Sequence, residues 1–323
     1  MTTPATTTPQ QPIGSGFGAR TTADEVLAGV DLTGRLAVVT GGYSGIGIEA
    51  TRALAKAGAH VVVPARRPDV AREALSEISG TEVDELDLGD LESVRAFADR
   101  FLDSGRTIDM VIDSAAVMAC PETRVGPGWE AQFATNHLGH YALVNRLWPA
   151  LQPGGARVVS VSSTGHHRSP IRWDDIDFAS DYDKWTAYGQ AKTANSLFAV
   201  QLDALGRSAG VRAFALNPGG ILTPLQRHLS VEEQVEMGWI DADGTPLNPG
   251  FKSTRAGAAT QTWAAASPQL DGLGGVYLED CEVAVPWAAD GPRSGVKDWA
   301  IDPDQAARLW ALSAERTGVD AFA

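Results

Sequence analysis

The segment Leu36-Ala37-Val38-Val39-Thr40-Gly41-Gly42-Tyr43-Ser44-Gly45-Ile46-Gly47 joins an apolar run to a glycine-rich turn. Four consecutive apolar residues are typical of a strand buried on both faces of a parallel sheet. Glycine lets the backbone turn tightly and approach a bound phosphate, and a helical pattern follows over 48–57. A strand, a glycine turn and a helix in this order predict a dinucleotide-binding unit. The turn lacks the Gly-Lys-Ser/Thr ending of nucleotide-hydrolysing P-loops.

Apolar runs recur along the chain with helical patterns between them. We expect further strands at 60–63, 82–88, 108–112, 157–161, 211–216 and 275–278, and helices at 91–101, 129–151, 185–205, 253–266 and about 303–314. This alternation predicts an α/β protein with one doubly wound parallel sheet and helices on both faces, which is a Rossmann fold.

The division of the chain follows from its composition. The opening residues, 1–20, are rich in Thr, Pro, Gln and Gly, so we predict a flexible arm there and a single domain over 21–323. Within that domain, residues at about 224–252 mix apolar side chains with Asp-Gly and Asn-Pro-Gly turns. Such a mixture predicts a loop segment that acts as a substrate lid.

The charge of the chain excludes some classes of partner. Lys and Arg number 26 against 40 Asp and Glu, a formal net charge of -14, which would repel nucleic acid and anionic membrane surfaces. No apolar run approaches the length of about eighteen residues that a membrane span needs. Cys120 and Cys281 are too few for a disulfide framework or a metal cluster. We expect a cytoplasmic protein without a metal ion, a nucleic-acid partner or a membrane span.

Tyr188 and Lys192 lie four residues apart in a predicted helix, so their side chains share one face. A free tyrosine titrates near about pH 10 and is a poor acid or base at neutral pH unless its phenolate is stabilised. A nearby ammonium would lower its pKa, and Ser163, at the carboxyl end of a predicted strand, could hold a substrate oxygen. Such pairs also occur on solvated helix faces, so the interpretation depends on the glycine turn as well.

The end of the second strand bears on the choice of cofactor. Arg66 and Arg67 stand about twenty residues after the glycine turn, where a carboxylate binds the NAD ribose and an arginine accommodates the 2′-phosphate of NADP. The sequence favours NADP over NAD, although the same arginines could simply begin a solvated helix. Asp87 could accept a hydrogen bond from an adenine amino group, and the turn over 217–223 could meet a nicotinamide amide and a phosphate.

Two other polar groups remain open to interpretation. His166 and His167 precede several aspartates, but the spacing does not repeat as a metal-ligand set would, so we interpret this insert as a solvated loop. Asn136 falls in a predicted helix and, if buried, needs a hydrogen-bond partner.

Taken together, these motifs resemble the short-chain dehydrogenases/reductases, and within them the branch of the retinol dehydrogenases and the WW-domain-containing oxidoreductase. The resemblance spans about 20–320 and lies in Thr21–Val26, Thr135–His140, and Val161–Ser163 followed by the two histidines. It implies four catalytic residues: Tyr188 as acid/base, Lys192 lowering its pKa, Ser163 orienting the carbonyl and Asn136 holding a water in the proton relay.

The same resemblance implies a set of cofactor contacts. These are Gly41, Tyr43, Ser44, Gly45, Ile46, Gly47, Arg66, Asp87, Leu88, Ser114, Ala115, Tyr188, Lys192, Pro218, Gly219, Ile221 and Thr223. One departure is that Asp113-Ser114-Ala115-Ala116 replaces the family's Asn-Asn-Ala-Gly, which puts a supporting hydrogen bond in doubt. Another is that no segment matches the membrane anchor of many retinol dehydrogenases.

The resemblance implies hydride transfer between a nicotinamide cofactor and a carbonyl or secondary alcohol, with Tyr188 as the proton donor. One alternative is reduction of an activated carbon-carbon double bond, as in protochlorophyllide reductases. Another is a sensor that binds NADP without turnover, which the intact set of four residues disfavours. The lid favours an apolar small molecule, and the family implies a homodimer or homotetramer.

Overall fold

The computed structural model describes residues 8–290 and 294–323. Its strands are β1 (Leu36–Thr40), β2 (His60–Ala65), β3 (Thr81–Glu85), β4 (Met110–Asp113), β5 (Arg124–Val125), β6 (Trp129–Glu130), β7 (Arg157–Val161), β8 (Arg212–Asn217), β9 (Val276–Glu279) and β10 (Glu282–Val283). Eight of them form one sheet in the order β10-β9-β8-β7-β4-β1-β2-β3, and β5 and β6 form a small hairpin. All neighbours in the large sheet are parallel except β10, which pairs antiparallel with β9 at the edge.

The helices lie on both faces of this sheet. They are α1 (Ala23–Val26), α2 (Gly45–Lys56), α3 (Pro68–Leu75), α4 (Leu91–Asp103), α5 (Ala131–Phe133), α6 (Gly139–Arg146), α7 (Trp148–Leu151), α8 (Lys184–Gly206), α9 (Val231–Glu236), α10 (Thr254–Gly257), α11 (Ala259–Ala266) and α12 (Pro303–Thr317). Within the described ranges, no helix is both long and apolar enough to cross a membrane.

The apolar run of β1 is buried throughout because it faces a core on each side. Val38 packs into the core beneath α4, α6 and α8, whereas Val39 packs into the opposite core with Leu54 of α2 and Trp263 of α11. Side chains alternate across a strand, so two helix layers are needed to cover such a run. The predicted doubly wound α/β fold is confirmed.

The order of the strands places a crevice beside β1. The chain runs from β1 through β2 to β3 on one side and then crosses to β4 on the other side of β1. In sheets of this kind, ligands bind at the carboxyl ends of the strands where the direction of winding reverses. The glycine turn after β1 and the loop after β4 therefore face each other across the expected site.

The predicted helix over 129–151 is wrong as one continuous element. Trp129 and Glu130 form β6, and the Glu130 carboxylate accepts hydrogen bonds from the Gln132 and Phe133 amides, so α5 begins only at Ala131. A π-helical turn over Ala134–Leu138 then leads into α6. Such turns insert one extra residue into a helix and are frequent at functional sites.

Smaller differences concern the ends of elements. The third strand ends at Glu85, so Asp87 lies in the following loop rather than in the strand. The predicted helix over 253–266 consists of α10 and α11.

Residues 8–20 lie across the β9–β10 edge of the sheet, and we call them the strap. The Gln10 side-chain amide donates to the carbonyls of Tyr277 (2.8 Å) and Ala284 (2.7 Å). The Glu282 carboxylate accepts from the backbone amides of residues 13, 14 and 15, each at 2.8 Å. The prediction of a flexible arm is wrong for 8–20, because Gln10 of the strap binds backbone groups of the sheet edge and Glu282 of the edge binds the backbone of the strap. Residues 1–7 lie outside the described ranges.

The predicted lid segment, 224–252, is folded and stands beside the crevice. It contains a 3₁₀ turn over Pro224–His228 and the short helix α9. Ser230 and Glu233 form a capping box at the start of α9. The strap also contacts the end of the lid segment, where the Arg20 guanidinium donates to the carbonyl of Phe251 at 2.6 Å.

Candidate active site

A cavity of about 850 Å³ opens at the carboxyl ends of the central strands. Of the residues that the sequence assigns to the site, all except Asn136 line this cavity. The glycine turn, the loop after β4, the end of β7, the face of α8 and the turn after β8 each contribute to its wall. The structure therefore brings the predicted residues together, while their individual roles stay predictions.

The glycine turn leaves room for a phosphate. Gly41 has φ +65°, and a Cβ there would lie 2.9 Å from Ala115 Cα. A Cβ on Gly47 would lie 2.2 Å from the carbonyl oxygen of Gly41, closer than any real contact. Ser44 precedes α2 without making a side-chain cap, so the first amides of this twelve-residue helix remain available. These amides and the positive end of the helix dipole fit the diphosphate of a dinucleotide.

Tyr188 and Lys192 are buried on α8 and face the cavity. Lys192 Nζ donates to the carbonyl of Val161 at 2.7 Å and lies 5.6 Å from the centroid of the Tyr188 ring. Ser163, at the end of β7, forms a hydrogen bond that stabilises the Tyr188 phenolate. The three groups can thus act on one substrate oxygen.

Burial controls the pKa values of this pair. It raises the pKa of Tyr188 to about 12, and the hydrogen bond from Ser163 offsets only part of that rise. Burial also lowers the pKa of Lys192 to about 7. Lys192 Nζ lies near the Tyr188 ring and donates to the Val161 carbonyl, and its expected effect on the pKa of Tyr188 stays a prediction. Tyr188 therefore keeps its proton at neutral pH.

Asn136 lies behind the cavity wall. Its side-chain amide pairs with the backbone of Val117, accepting from the amide at 2.8 Å and donating to the carbonyl at 2.9 Å. The backbone carbonyl of Asn136, which lies in the π-helical turn, accepts from Nδ1 of His140 at 2.9 Å. The second lone pair of this backbone carbonyl remains available to a relay water, which stays a prediction. Asn136 holds the loop after β4 in place.

His140 continues this network to the floor of the cavity. Because Nδ1 donates to a carbonyl, Nε2 of the neutral ring accepts, and the Thr40 hydroxyl donates to it at 2.9 Å. The same Thr40 oxygen accepts from the amides of Ser114 (2.9 Å) and Ala115 (3.0 Å). Burial lowers the pKa of His140 to about 4, so the ring is neutral. One buried histidine thus positions two cofactor-facing loop residues.

Asp113 is the departure from the family pattern noted in the sequence. Its side chain is buried between β1 and β7, and neither carboxyl oxygen has a hydrogen-bond partner among the described residues. Nε2 of His140 is 3.9 Å away. Burial raises the pKa of Asp113 well above its ordinary value, so the carboxyl favours its neutral form. The doubt about a supporting hydrogen bond at this position is justified.

The end of the cavity beside β2 is basic. Arg66 and Arg67 are exposed at the end of β2 and line the wall together with Arg227 of the lid segment. Among the described residues, Asp87 supplies the single carboxylate of the wall, and its Oδ1 accepts from the Gly89 amide at 2.9 Å. In a chain with a net charge of -14, this local excess of positive charge is suited to an anion.

The opposite end is aromatic. Trp185 packs against Tyr188 with ring centroids 6.4 Å apart, and Trp239 of the lid segment packs against Trp185 at 6.1 Å. Met118 and Leu225 extend the same apolar cluster. Sequence analysis predicted the apolar lid segment of this wall but not Met118 or Trp185, which come from two other parts of the chain.

The interpretation of His166 and His167 as a solvated loop is wrong. His166 is buried: Nδ1 donates to the Ser163 carbonyl at 2.6 Å, and Nε2 accepts from the Lys297 amide at 3.2 Å. His167 lines the cavity and donates to the Gly295 carbonyl at 2.9 Å. The C-terminal segment supplies these partners, and no local signal in the sequence marks them.

Fold and cavity define an α/β protein of the Rossmann type in which a glycine cradle and a Ser-Tyr-Lys cluster share one site. Comparison with known proteins agrees: a family model described as short chain dehydrogenase matches residues 35–234. The chain belongs to the short-chain dehydrogenase/reductase family of oxidoreductases, whose members use nicotinamide cofactors.

Relatives of the chain extend over nearly its whole length. A probable oxidoreductase of Streptomyces lividans is 43% identical over 297 residues, which cover 88% of this chain and 98% of the relative. Retinol dehydrogenase 12 of Homo sapiens is 35% identical over 297 residues, covering 90% of this chain and 88% of the relative. A crystal structure of an uncharacterised protein from Mycobacterium Paratuberculosis superimposes with a TM-score of 0.70 at 33% identity, covering 92% of this chain and 98% of that one.

Proposed function

We propose that the protein transfers hydride between NADP and a carbonyl or secondary alcohol group of an apolar small molecule. The observation that carries the proposal is the meeting of Tyr188, Ser163 and Lys192 in one cavity with the uncapped start of α2. Relatives named oxidoreductase and retinol dehydrogenase support the same reaction class.

NADPH, when bound, supplies the hydride that adds to the carbonyl carbon. Ser163 is placed to hold the substrate oxygen by a hydrogen bond. The Tyr188 hydroxyl is protonated at neutral pH, since its pKa is about 12, and can pass that proton to the same oxygen to complete the alcohol. Lys192 in its ammonium form then stabilises the remaining phenolate until Tyr188 takes up a proton. In the oxidative direction, Tyr188 accepts the alcohol proton instead.

Burial keeps Tyr188 as a neutral phenol at neutral pH, which is the protonated form that reduction requires. Arg66 and Arg67 support a preference for NADP over NAD, because they provide positive charge where the 2′-phosphate is expected. The aromatic wall around Trp185 and Trp239 supports an apolar substrate. The cytoplasmic location and the homodimer or homotetramer stay predictions of the sequence.

The test is to titrate the protein with NADPH and NADH and then to follow cofactor oxidation with a panel of ketones, aldehydes and enones. Tyr188→Phe should bind NADPH like the wild type and lose about a hundredfold to ten-thousandfold in turnover, the usual contribution of a general acid. Tyr182→Phe is the matched control, because the Tyr182 hydroxyl bonds to Gln132 and the Cys120 carbonyl outside the cavity. Turnover of enones alone would favour double-bond reduction, and equal activity of wild type and Tyr188→Phe would overturn the assignment.

A further inference from the structure

Three arginines from two distant segments meet at the end of the cavity beside β2. Arg66 and Arg67 follow β2, and Arg227 belongs to the 3₁₀ turn that begins the lid segment. Within residues 8–290 and 294–323, none of the three forms an ion pair, whereas Arg157 and Arg212 elsewhere bind carboxylates at 2.5 and 2.7 Å. A cluster of unpaired like charges is unfavourable unless a ligand neutralises it.

The neighbouring arginines affect the pKa of Arg227. The Arg227 side chain is exposed, but the protein around its guanidinium lowers the pKa of that group, and the positive charges of Arg66 and Arg67 lower it further. The hydrogen bond that it donates to the Pro224 carbonyl, at 3.3 Å, is long. The Arg227 guanidinium therefore lies near two other cations and makes one long hydrogen bond, an arrangement that favours binding of an anion.

The turn that carries Arg227 is joined to the lid and to the cofactor-facing loop. The Gln226 side chain accepts from the Thr223 amide at 2.8 Å and donates to the Ile221 carbonyl at 2.9 Å. The neighbouring residue, Leu225, belongs to the apolar cluster that also contains Trp239. A displacement of Arg227 would therefore also move the aromatic wall at the substrate end.

We propose that Arg227 is a third ligand of the cofactor's 2′-phosphate and that this contact draws the lid segment onto the cavity. The proposal rests on the proposed function and deepens it. Without the phosphate, the like charges of Arg227 and the β2 arginines oppose a closer approach of the two walls. A phosphate dianion between them converts the repulsion into attraction, so NADP closes the substrate site whereas NAD does not. Cofactor binding should therefore precede productive binding of the substrate.

Fragments of the cofactor isolate this contact from catalysis. Binding of adenosine 2′,5′-bisphosphate and of adenosine 5′-monophosphate is measured by calorimetry for the wild type, Arg227→Gln and Arg308→Gln. Arg308 is an exposed arginine of α12 that stacks on Trp173 outside the cavity and serves as the matched control. We expect Arg227→Gln to weaken the bisphosphate by about tenfold, the effect of one lost charge-assisted bond, and the monophosphate by less than about twofold.

Hydrogen exchange of residues 224–252 gives an independent readout of the lid. The bisphosphate should protect this segment in the wild type and in Arg308→Gln, and should fail to protect it in Arg227→Gln. Equal weakening of both fragments would assign Arg227 to the 5′-phosphate and overturn the proposal, as would unchanged affinity or unchanged protection. If the wild type binds neither fragment nor NADPH or NADH, the proposed function fails with it. If the wild type binds NADPH and Arg227→Gln binds both fragments like the wild type, this inference is refuted while the proposed function stands.

Discussion

Replacing Asp113 by asparagine should stabilise the protein increasingly as the pH rises. Asp113 is buried at the centre of the sheet, and its carboxyl oxygens have no hydrogen-bond partner among the described residues. His140 cannot readily neutralise it as a cation, because Nε2 faces the Thr40 hydroxyl at 2.9 Å and lies 3.9 Å from Asp113. Burial therefore favours the protonated form of Asp113, whereas an amide of the same shape needs no proton.

The magnitude follows from proton linkage. In the unfolded chain an aspartate titrates near about pH 3.9, so at neutral pH that chain has released the proton that the folded state retains. Because the pKa of Asp113 is raised on folding, its contribution to stability is complete below about pH 3.9 and is lost as pH rises. The loss is about 1.4 kcal/mol per pH unit, or about 4 kcal/mol at pH 7 for a carboxyl that is still protonated there.

Urea unfolding followed by tryptophan fluorescence, at about pH 5 and about pH 7, measures this effect. The advantage of Asp113→Asn over the wild type should grow by about 3 kcal/mol between the two. Asp103→Asn, at an exposed position that ends α4, should show no such growth. A constant difference, or a less stable Asp113→Asn at both values, would mean that Asp113 is ionised and paired with a charged His140, and would refute the reasoning.

Two further predictions concern the glycine cradle and the buried histidines. Gly47→Ala should weaken NADPH binding by about tenfold or more in a fluorescence titration, because overpacking against the Gly41 carbonyl costs about 1–3 kcal/mol. Gly154→Ala, where a Cβ meets nothing within 4 Å, should bind like the wild type, and equal binding by both variants would contradict the cradle. Burial lowers the pKa of His137 to about 3, so its contribution to stability is lost as pH falls below about 6.5. His137→Asn should therefore lose about 2 kcal/mol less than the wild type between about pH 6.5 and pH 4.5 in urea unfolding, and an unchanged acid sensitivity would show that the ring is not buried as a neutral group.

Local patterns in the sequence were sufficient for the fold and the centre of the site. The glycine turn and the Tyr188–Lys192 pair each depend on residues within one turn or one helix, where spacing determines geometry. The doubly wound class of the sheet was predicted because apolar strands alternate with helices along the chain.

The misplaced features depend on contacts between distant parts of the chain. His166 is buried because the amide of Lys297 reaches it, and Gln10 is held by Tyr277 at the far edge of the sheet. The partner of the Asn136 side chain is the backbone of Val117, which no spacing rule identifies. Composition predicted a free arm and a solvated loop because it does not distinguish polar side chains that bind water from those that bind the protein backbone.

The strap also constrains the order in which the molecule is completed during synthesis. Gln10 leaves the ribosome 267 residues before its partner Tyr277, so the strap stays unpaired through most of translation. Until β9 emerges, the edge of the nascent sheet is β8, whose residues from Ala213 to Asn217 are all buried in the finished protein. An apolar edge of this kind can pair with other chains, which makes the interval before residue 276 the period of greatest exposure to aggregation. The last strands and the strap close that edge together.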